Sequence, residues 1–124
     1  MKTRSYKDLI VWQKSIELVM FIYQLTKNFP AGEKYGLISQ LRRATVAISS
    51  NIAEGYTRQH GPEFIQFLYV AFASAAEVET QLIISEKLGY GKKNSYREIY
   101  SILVEISKML NSMIRNLKSK YPNR

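Results

Sequence analysis

The sequence predicts an all-α protein, built as an antiparallel up-down-up-down four-helix bundle in a single domain over residues 1–124. Apolar residues recur at helical spacing through most of the chain, which is typical of amphipathic helices. The few glycines and prolines lie between the apolar stretches, and no strand-like alternation bounded by turns occurs. A chain of 124 residues buries roughly two-thirds of its unfolded surface, which is enough for a core without disulfides or metals.

The first predicted helix covers about residues 5–28 and carries two apolar stripes on nearly opposite sides. One stripe comprises Leu9, Trp12, Ile16, Val19, Met20 and Tyr23, and the other comprises Val11, Leu18, Ile22, Leu25 and Phe29. A bundle core needs only one stripe, so the second requires a partner. We expect Val11, Leu18, Ile22 and Leu25 to form the subunit interface. A glutamate at Leu18 or Ile22 should then dissociate the assembly without unfolding the subunit.

The second predicted helix covers about residues 33–56 and places a polar row beside its apolar face. The apolar face comprises Leu37, Leu41, Ala44, Thr45, Ile48 and Ile52. The polar row comprises Gln40, Arg43, Ala47, Asn51 and Glu54. Residues at these spacings share one side of a helix, so the row can form hydrogen bonds across a helix interface.

The third predicted helix covers about residues 62–88, and its apolar arc occupies nearly half of its surface. Small residues that allow close backbone approach cluster at Ala71, Ala73, Ser74, Ala75 and Ala76. Glu79 falls within the arc, so its carboxylate must be paired, hydrogen-bonded or placed where water reaches it. Arg42 or Arg43 is the expected partner.

The fourth predicted helix covers about residues 94–119 and is amphipathic. Its core positions keep a heptad-like spacing at Ile99, Leu103, Ile106, Leu110, Met113 and Leu117. Arg97, Lys108 and Arg115 share one line on the opposite, outer side. Because every connection is short, neighbouring helices are expected to run antiparallel.

Basic residues outnumber acidic ones by 18 to 10, giving a formal net charge of +8. This excess favours a polyanionic partner, either nucleic acid or an anionic lipid surface, although solubility alone also accounts for it. We expect no membrane partner, because the bundle core consumes the apolar face of the fourth helix. The up-down order gathers further charge at one end, from Lys2, Arg4, Lys7 and Arg124. The predicted phosphate contacts are Arg58, Lys92, Lys93, Arg97, Lys108, Arg115, Lys118 and Lys120.

Three tyrosines lie beside the basic residues that open the fourth helix. Tyr90, Tyr96 and Tyr100 are close in sequence to Lys92 and Lys93. Aromatic side chains in such surroundings can stack on unpaired bases. Tyrosine is also common at subunit interfaces, so both interpretations stay open.

No catalytic or cofactor pattern occurs in the sequence. The single histidine, His60, has no glutamate three residues before it, as a di-metal carboxylate bundle would require. The glycines are scattered singly, without a phosphate-binding fingerprint. We therefore expect no enzymatic activity, metal or cofactor. The absence of cysteine and of a secretory signal favours a cytoplasmic protein.

Several short motifs follow one another along nearly the whole chain. They are residues 8–14 (DLIVWQK) with Tyr23 and Phe29-Pro30, 35–37 (YGL), 40–44 (QLRRA), 51–55 (NIAEG), 63–64 (EF) with 67–68 (FL), 77–82 (EVETQL) and 88–90 (LGY). In this combination the chain resembles the four helix bundle proteins that are also called 23S rRNA intervening-sequence proteins. Ser49-Ser50 departs from the family pattern, which often has a proline there, so the second helix is expected to run straighter.

The resemblance implies an antiparallel bundle that assembles into a ring-like homo-oligomer, with a pentamer as the expected size, in the bacterial cytoplasm. A related group, the accessory variability proteins of diversity-generating retroelements, works with a reverse transcriptase and binds nucleic acid. No enzymatic activity is associated with the family. The family pattern picks out a set of polar residues that we interpret as helix and subunit contacts: Gln40, Arg42, Arg43, Asn51, Glu54, Glu77 and Glu79.

The sequence therefore predicts a non-enzymatic, oligomeric module that binds nucleic acid, with RNA or structured nucleic acid favoured over a specific DNA operator. The alternative is a protein–protein scaffold or accessory subunit that docks an acidic partner, such as a polymerase, without touching nucleic acid. An enzyme would require a pocket lined by convergent polar groups.

Overall fold

The computed structural model describes residues 5–122 of the chain. Over these residues the protein has four long helices and no strand, which confirms the predicted all-α class. The helices are α1 (Ile10–Thr26), α2 (Leu37–Thr57), α3 (Gly61–Lys87) and α4 (Tyr96–Lys120). Separate 3-10 turns precede three of them, at Tyr6–Asp8, Ala31–Glu33 and Lys93–Ser95. The predicted starts of α1 and α2 are therefore too early. Lys2, Arg4 and Arg124 lie outside the described residues.

Side-chain hydrogen bonds stabilise the turns that precede α1 and α2. Ser5 Oγ accepts a hydrogen bond from the Lys7 amide at 3.0 Å, and Asp8 Oδ2 accepts one from the Ser5 amide at 3.3 Å. This reciprocal capping box closes the turn before α1. Glu33 Oε1 accepts a hydrogen bond from the Leu37 amide at 3.0 Å. These bonds satisfy amides that have no partner in a first helical turn.

All four helices contribute side chains to one hydrophobic core. Its fully buried members include Leu18, Ile22, Leu41, Ile48, Ile52, Leu68, Leu82, Ile99, Leu103, Ile106 and Leu110. Each buried aliphatic side chain of this size contributes about 1.5–3 kcal/mol relative to exposure. The apolar faces predicted for α2 and α4 thus point inward, whereas only part of the wide apolar arc predicted for α3 does.

The two stripes of α1 are placed opposite to the prediction. Val11, Leu18, Ile22 and Leu25 are at most 3% exposed and lie in the core of the single chain. They cannot form the predicted subunit interface, because the packing of the single chain, in which α1 lies against α2 and α4, already covers them. The exposed stripe is instead the one that contains Met20, which is 63% exposed. Both stripes satisfy the same helical period, so periodicity alone does not say which one faces inward.

Hydrogen bonds between α1 and α2 connect the first part of one helix with the later part of the other. Ser15 of α1 shares a hydrogen bond with Ser49 of α2 at 2.8 Å. Near the other end of this pair, Arg42 Nε donates to Thr26 Oγ1 at 2.9 Å.

Helices α3 and α4 show the same reversed order of contacts. Lys118 Nζ donates to the Tyr69 hydroxyl at 3.2 Å. Toward the opposite end of the pair, the Tyr100 hydroxyl donates to Glu86 Oε1 at 3.1 Å. The last turn of one helix therefore lies beside the first turns of the other.

Gly55 allows α2 and α3 to approach closely near their connection. A Cβ atom at this position would lie 2.6 Å from Phe67 Cβ and 3.0 Å from a ring carbon of Phe64. Real Cβ atoms do not come this close to another carbon, and the backbone of α3 fixes the position of Phe67 Cβ. Glycine at this point therefore sets the distance between the two helices.

Helix α3 is, within residues 5–122, the one helix long and apolar enough to cross a membrane by length and composition. Of its most apolar stretch, 33% is buried among the other helices. Its outer side leaves large apolar residues exposed: Tyr69, Val70, Phe72, Ile83 and Ile84. Because α3 packs against both α2 and α4, we interpret it as a bundle helix with an outer apolar face that another molecule can cover.

Candidate nucleic-acid interface

Helix α4 carries the most extended basic surface. Six of the predicted phosphate contacts are exposed and form no ion pair within residues 5–122: Lys92, Lys93, Arg97, Lys108, Arg115 and Lys120. Such free cations retain their full charge for a partner, whereas paired cations do not.

Three of these cations form a line along the outer side of α4, which we call the α4 basic line: Arg97, Lys108 and Arg115. The positions between them on the same side are Ser101, Val104 and Asn111, so no carboxylate interrupts the line. It spans 18 residues of helix, or about 27 Å at 1.5 Å per residue. A straight row of this length can meet several phosphates of one nucleic acid.

The acidic residues of α4 are turned toward α1 and away from the basic line. Glu105 pairs with Lys14 of α1 at 3.5 Å. Glu98 lines a cleft with Phe21 and Gln24 of α1. Consequently the helix separates its charges, with carboxylates along the α1 seam and cations on the outer side.

Arg58, also predicted to contact phosphate, is held by neighbouring carboxylates. Its Nη2 lies 3.2 Å from Glu54 Oε2, and its Nη1 lies 3.3 Å from Glu63 Oε1. The guanidinium also lies 5.1 Å from the centre of the Phe67 ring. The structure thus places Arg58 in a local cluster that closes the α2–α3 connection, and two carboxylates offset its charge. Surface pairs of this kind are weak, however, and a phosphate can compete for them.

Lys118 contacts a tyrosine of α3, and no carboxylate offsets its charge within residues 5–122. Its Nζ donates to the hydroxyl of Tyr69 on α3 and lies 5.7 Å from the centre of that ring. A tyrosine hydroxyl is neutral, so Lys118 and the exposed Lys120 continue the positive surface beyond Arg115.

The α1–α2 and α3–α4 connections are clamped together at one end of the bundle. The Tyr90 hydroxyl donates to Glu33 Oε2 at 3.0 Å, and its ring lies 5.5 Å from that of Phe29. The Tyr96 hydroxyl donates to the Tyr90 carbonyl at 2.7 Å. We call this end the clamp end; it holds Lys92 and Lys93 in a fixed relation to the α1–α2 connection.

The clamp decides the role of the tyrosines beside these lysines. Tyr96 is only 2% exposed, and burial raises its pKa to about 12. The hydrogen bond from Tyr90 to Glu33 raises the pKa of Tyr90, and burial is also the largest cause of the raised pKa of Tyr100. Burial makes Tyr96 a packing residue and leaves no ring face for a base, whereas Tyr90 is half-buried and its hydroxyl is engaged by Glu33.

Part of the polar row on α2 faces α3 around a buried amide. Gln81 Nε2 donates to Gln40 Oε1 and to Glu77 Oε2, each at 3.3 Å. Gln81 is 6% exposed, and its Oε1 has no partner among the described residues. Gln40, Glu77 and Arg43 also line a cleft of about 390 Å3 between the helices. No pattern in the sequence indicates a polar role for Gln81. Its bond to Gln40 depends on how α2 and α3 pack against each other.

Arg42 lies in the seam between α1 and α2. Besides its bond to Thr26, its guanidinium lies 4.3 Å from the centre of the Tyr23 ring. The predicted pair between Glu79 and an arginine is wrong. Glu79 is exposed, and its charge acts instead on Tyr100 of α4. It lies on the α4 side of α3, whereas Arg42 faces α1.

Asn51 and Glu54, the other two polar residues that the family resemblance picks out on α2, make their bonds within α2 and its C-cap. Asn51 Nδ2 donates to the Ala47 carbonyl at 2.8 Å. Glu54 pairs with Arg58 one turn further along. Neither side chain bonds to another helix in the described part of the chain, so any role between subunits depends on a second copy.

The exposed stripe of α1 forms an apolar groove with α2, which we call the α1–α2 groove. It has a volume of about 300 Å3 and is lined by Tyr6, Trp12, Ile16, Val19, Val46, Ser49, Ser50 and Ala53. Met20 continues the same side of α1. The groove and the outer face of α3 are two separate apolar surfaces of one chain.

No cluster of three or more metal-binding side chains occurs within residues 5–122. His60 is exposed in the α2–α3 connection, and its Nδ1 lies 3.6 Å from Glu63 Oε2. The expectation that the protein has no metal, cofactor or catalytic residue stays a prediction.

Fold and surface together define a small, basic, all-helical protein with four long helices. A family model described as the 23S rRNA-intervening sequence protein matches residues 7–112. The chain therefore belongs to the 23S rRNA-intervening sequence protein family.

A solved structure gives the same fold. It is a protein with unknown function from the S23 ribosomal protein family of Bacteroides thetaiotaomicron VPI-5482. The two chains are 29% identical, and the match covers 85% of this chain and 98% of that one with a TM-score of 0.75. Comparison with curated proteins finds no match.

Proposed function

We propose that this protein is a non-enzymatic, cytoplasmic, oligomeric module that binds nucleic acid through the α4 basic line. The single observation that carries the proposal is the carboxylate-free row of Arg97, Lys108 and Arg115, exposed along about 27 Å of helix. Cations that are neither paired nor buried bind phosphates by releasing counterions from the nucleic acid.

RNA is favoured over a specific DNA operator as the partner. Phosphate contacts supply affinity but carry little sequence information. The α4 basic line offers long, flexible cations on a straight helix, and phosphate contact by such side chains requires no particular base sequence. The description of the family also names ribosomal RNA.

The bundle is proposed to be up-down-up-down, since the contacts of α1 with α2 and of α3 with α4 are reversed in order. This arrangement brings the α1–α2 and α3–α4 connections to the clamp end. Lys118 and Lys120 then lie at the opposite end, and the α4 basic line joins the two.

Copies of the chain are proposed to assemble into a ring. A cyclic assembly uses two different patches on each subunit. The α1–α2 groove and the outer face of α3 supply two such patches. The pentamer and the relation to the accessory variability proteins depend on the family resemblance and stay predictions. Repeating one basic line around a ring multiplies weak contacts into a higher overall affinity.

Met20→Glu is expected to reduce the solution mass to that of the 14.4 kDa monomer while leaving the helix content unchanged. Met20 is 63% exposed, so the new carboxylate stays hydrated in the monomer but would be desolvated in the assembly. Light scattering and circular dichroism measure the two quantities. Asn116→Glu is the matched control, because it adds the same charge at an exposed site on α4. A native protein that is monomeric, or a Met20→Glu variant of native mass, contradicts this assembly.

The direct test of the proposal is RNA binding by the native protein over a range of salt concentrations. Fluorescence anisotropy with a labelled structured RNA should show binding near physiological salt that weakens steeply as salt rises. Absence of binding there, or an affinity that hardly changes with salt, contradicts the proposal. The alternative scaffold would then be favoured, and a protein partner retained from nuclease-treated lysate would identify it.

A further inference from the structure

The most exposed aromatic side chain of the described chain lies at the clamp end. Tyr35 follows the 3-10 turn before α2 and is 87% exposed. Tyr69, also exposed, is partly covered by Lys118, and Tyr23 by Arg42. Beside the Tyr35 ring lies its sequence neighbour Lys34, whose Nζ is 5.4 Å from the centre of the ring. Nothing in the packing of one chain requires an aromatic ring at this position.

The acidic group nearest to Tyr35 is turned away from it. Glu33 is the only carboxylate between α1 and α2. One of its oxygens accepts from the Leu37 amide and the other from the Tyr90 hydroxyl, each at 3.0 Å. Both oxygens are thus engaged inside the clamp, and Lys34 forms no ion pair within residues 5–122.

The same clamp places two more lysines at this end. Lys92 and Lys93 follow Tyr90 by two and three residues, both are exposed, and residues 88–95 contain no carboxylate. Gly91, between them and Tyr90, packs against Leu25 and Phe29. The two lysines and the turn that carries Tyr35 therefore lie at the same end of the bundle, where the hydrogen bond from Tyr90 to Glu33 joins the two connections.

We propose that Tyr35 stacks on an unpaired base of a single-stranded segment, while Lys34, Lys92 and Lys93 contact the phosphates beside that base. This inference rests on the proposed function and gives it a second element. An exposed ring at an end of the bundle that also carries three exposed lysines has the composition of a single-strand platform, in which stacking adds to electrostatic contact. In a duplex the bases stack on each other, so no base face is open to the Tyr35 ring.

The test uses the full-length protein and two labelled RNA probes, a single-stranded decamer and a blunt duplex. Tyr35→Ala is expected to weaken binding of the decamer about tenfold and to leave duplex binding unchanged. Tyr35→Phe, which keeps the ring, should bind both probes as the native protein does. Because stacking releases no counterions, the salt dependence of decamer binding should be the same in Tyr35→Ala and native protein.

Each other outcome overturns the inference in a distinguishable way. If native protein binds neither probe, the proposed function fails and the inference fails with it. If native protein binds RNA but Tyr35→Ala binds the decamer equally well, only the stacking role fails. A Tyr35→Ala variant that loses both probes equally, or that changes solution mass, shows that Tyr35 is a subunit contact.

Discussion

Leu18→Glu is expected to leave the protein unfolded at room temperature. The Leu18 side chain has no exposed surface, and its burial is worth about 2–3 kcal/mol. An ionised carboxylate in its place adds a desolvation penalty of several kcal/mol, since no cation faces this position in the core. The sum is comparable to the whole stability of a small domain, about 5–15 kcal/mol.

Circular dichroism during thermal unfolding measures this effect. Met20→Glu is the matched control, because it introduces the same side chain two residues away at an exposed site of the same helix. The control should keep a cooperative transition, whereas Leu18→Glu should show none. A Leu18→Glu variant that stays folded but loses only its oligomeric state would restore the original assignment of this stripe to the subunit interface.

Lys108→Gln with Arg115→Gln is expected to weaken RNA binding about twentyfold at physiological salt. Each phosphate contact contributes a salt-dependent factor that amounts to roughly fourfold to fivefold near 0.15 M salt. Removing two contacts should also lower the slope of affinity against salt by about 2. Both side chains are exposed and unpaired in the described structure, so stability should change by less than about 0.5 kcal/mol.

The control for this pair has the same net charge. Lys27→Gln with Lys87→Gln removes two exposed cations, at the ends of α1 and α3, that lie outside the α4 basic line and form no ion pair within residues 5–122. Salt-dependent anisotropy of all three proteins separates the local effect from the effect of total charge. Equal losses in the two variants would show that overall charge, and no particular surface, accounts for binding.

The sequence predicted four helices in the observed order, and it predicted the inner faces of α2 and α4 because each has a single dominant apolar stripe. The apolar arc of α3 is wider, and part of it is exposed. Helix α1 has two apolar stripes, and the assignment of Leu18 and Met20 was reversed. The chemistry of the stripes contains a usable signal. The buried stripe is purely aliphatic up to Phe29, whereas the exposed one contains Trp12, Met20 and Tyr23. Aromatic residues and methionine are enriched at protein interfaces.

The positions of exposed charges could be predicted from residue spacing, whereas the contacts that a charged side chain makes could not. The α4 basic line follows from the spacing of Arg97, Lys108 and Arg115. The partners of Arg58 depend on how the α2–α3 connection folds back, with Gln59 at a φ of 51° and Glu63 in the next turn. No local pattern gives that geometry.

The sequence also contains no indication of the role proposed for Tyr35. Its motif, residues 35–37 (YGL), contributed to the family resemblance without indicating a role. Only the inward turn of Glu33 and the 87% exposure of the ring single it out. Both depend on contacts between segments that are far apart in the sequence, such as the bond from Tyr90 to Glu33.

The most direct test of the central claim is to map where RNA touches the protein. Photo-crosslinking at physiological salt to an RNA that contains 4-thiouridine, followed by sequencing of the attached peptides, gives that map. If RNA binds through the α4 basic line, crosslinks are expected in the peptides that contain Arg97, Lys108 and Arg115. Crosslinks confined to the α1–α2 groove, or none above a competitor control, would contradict it.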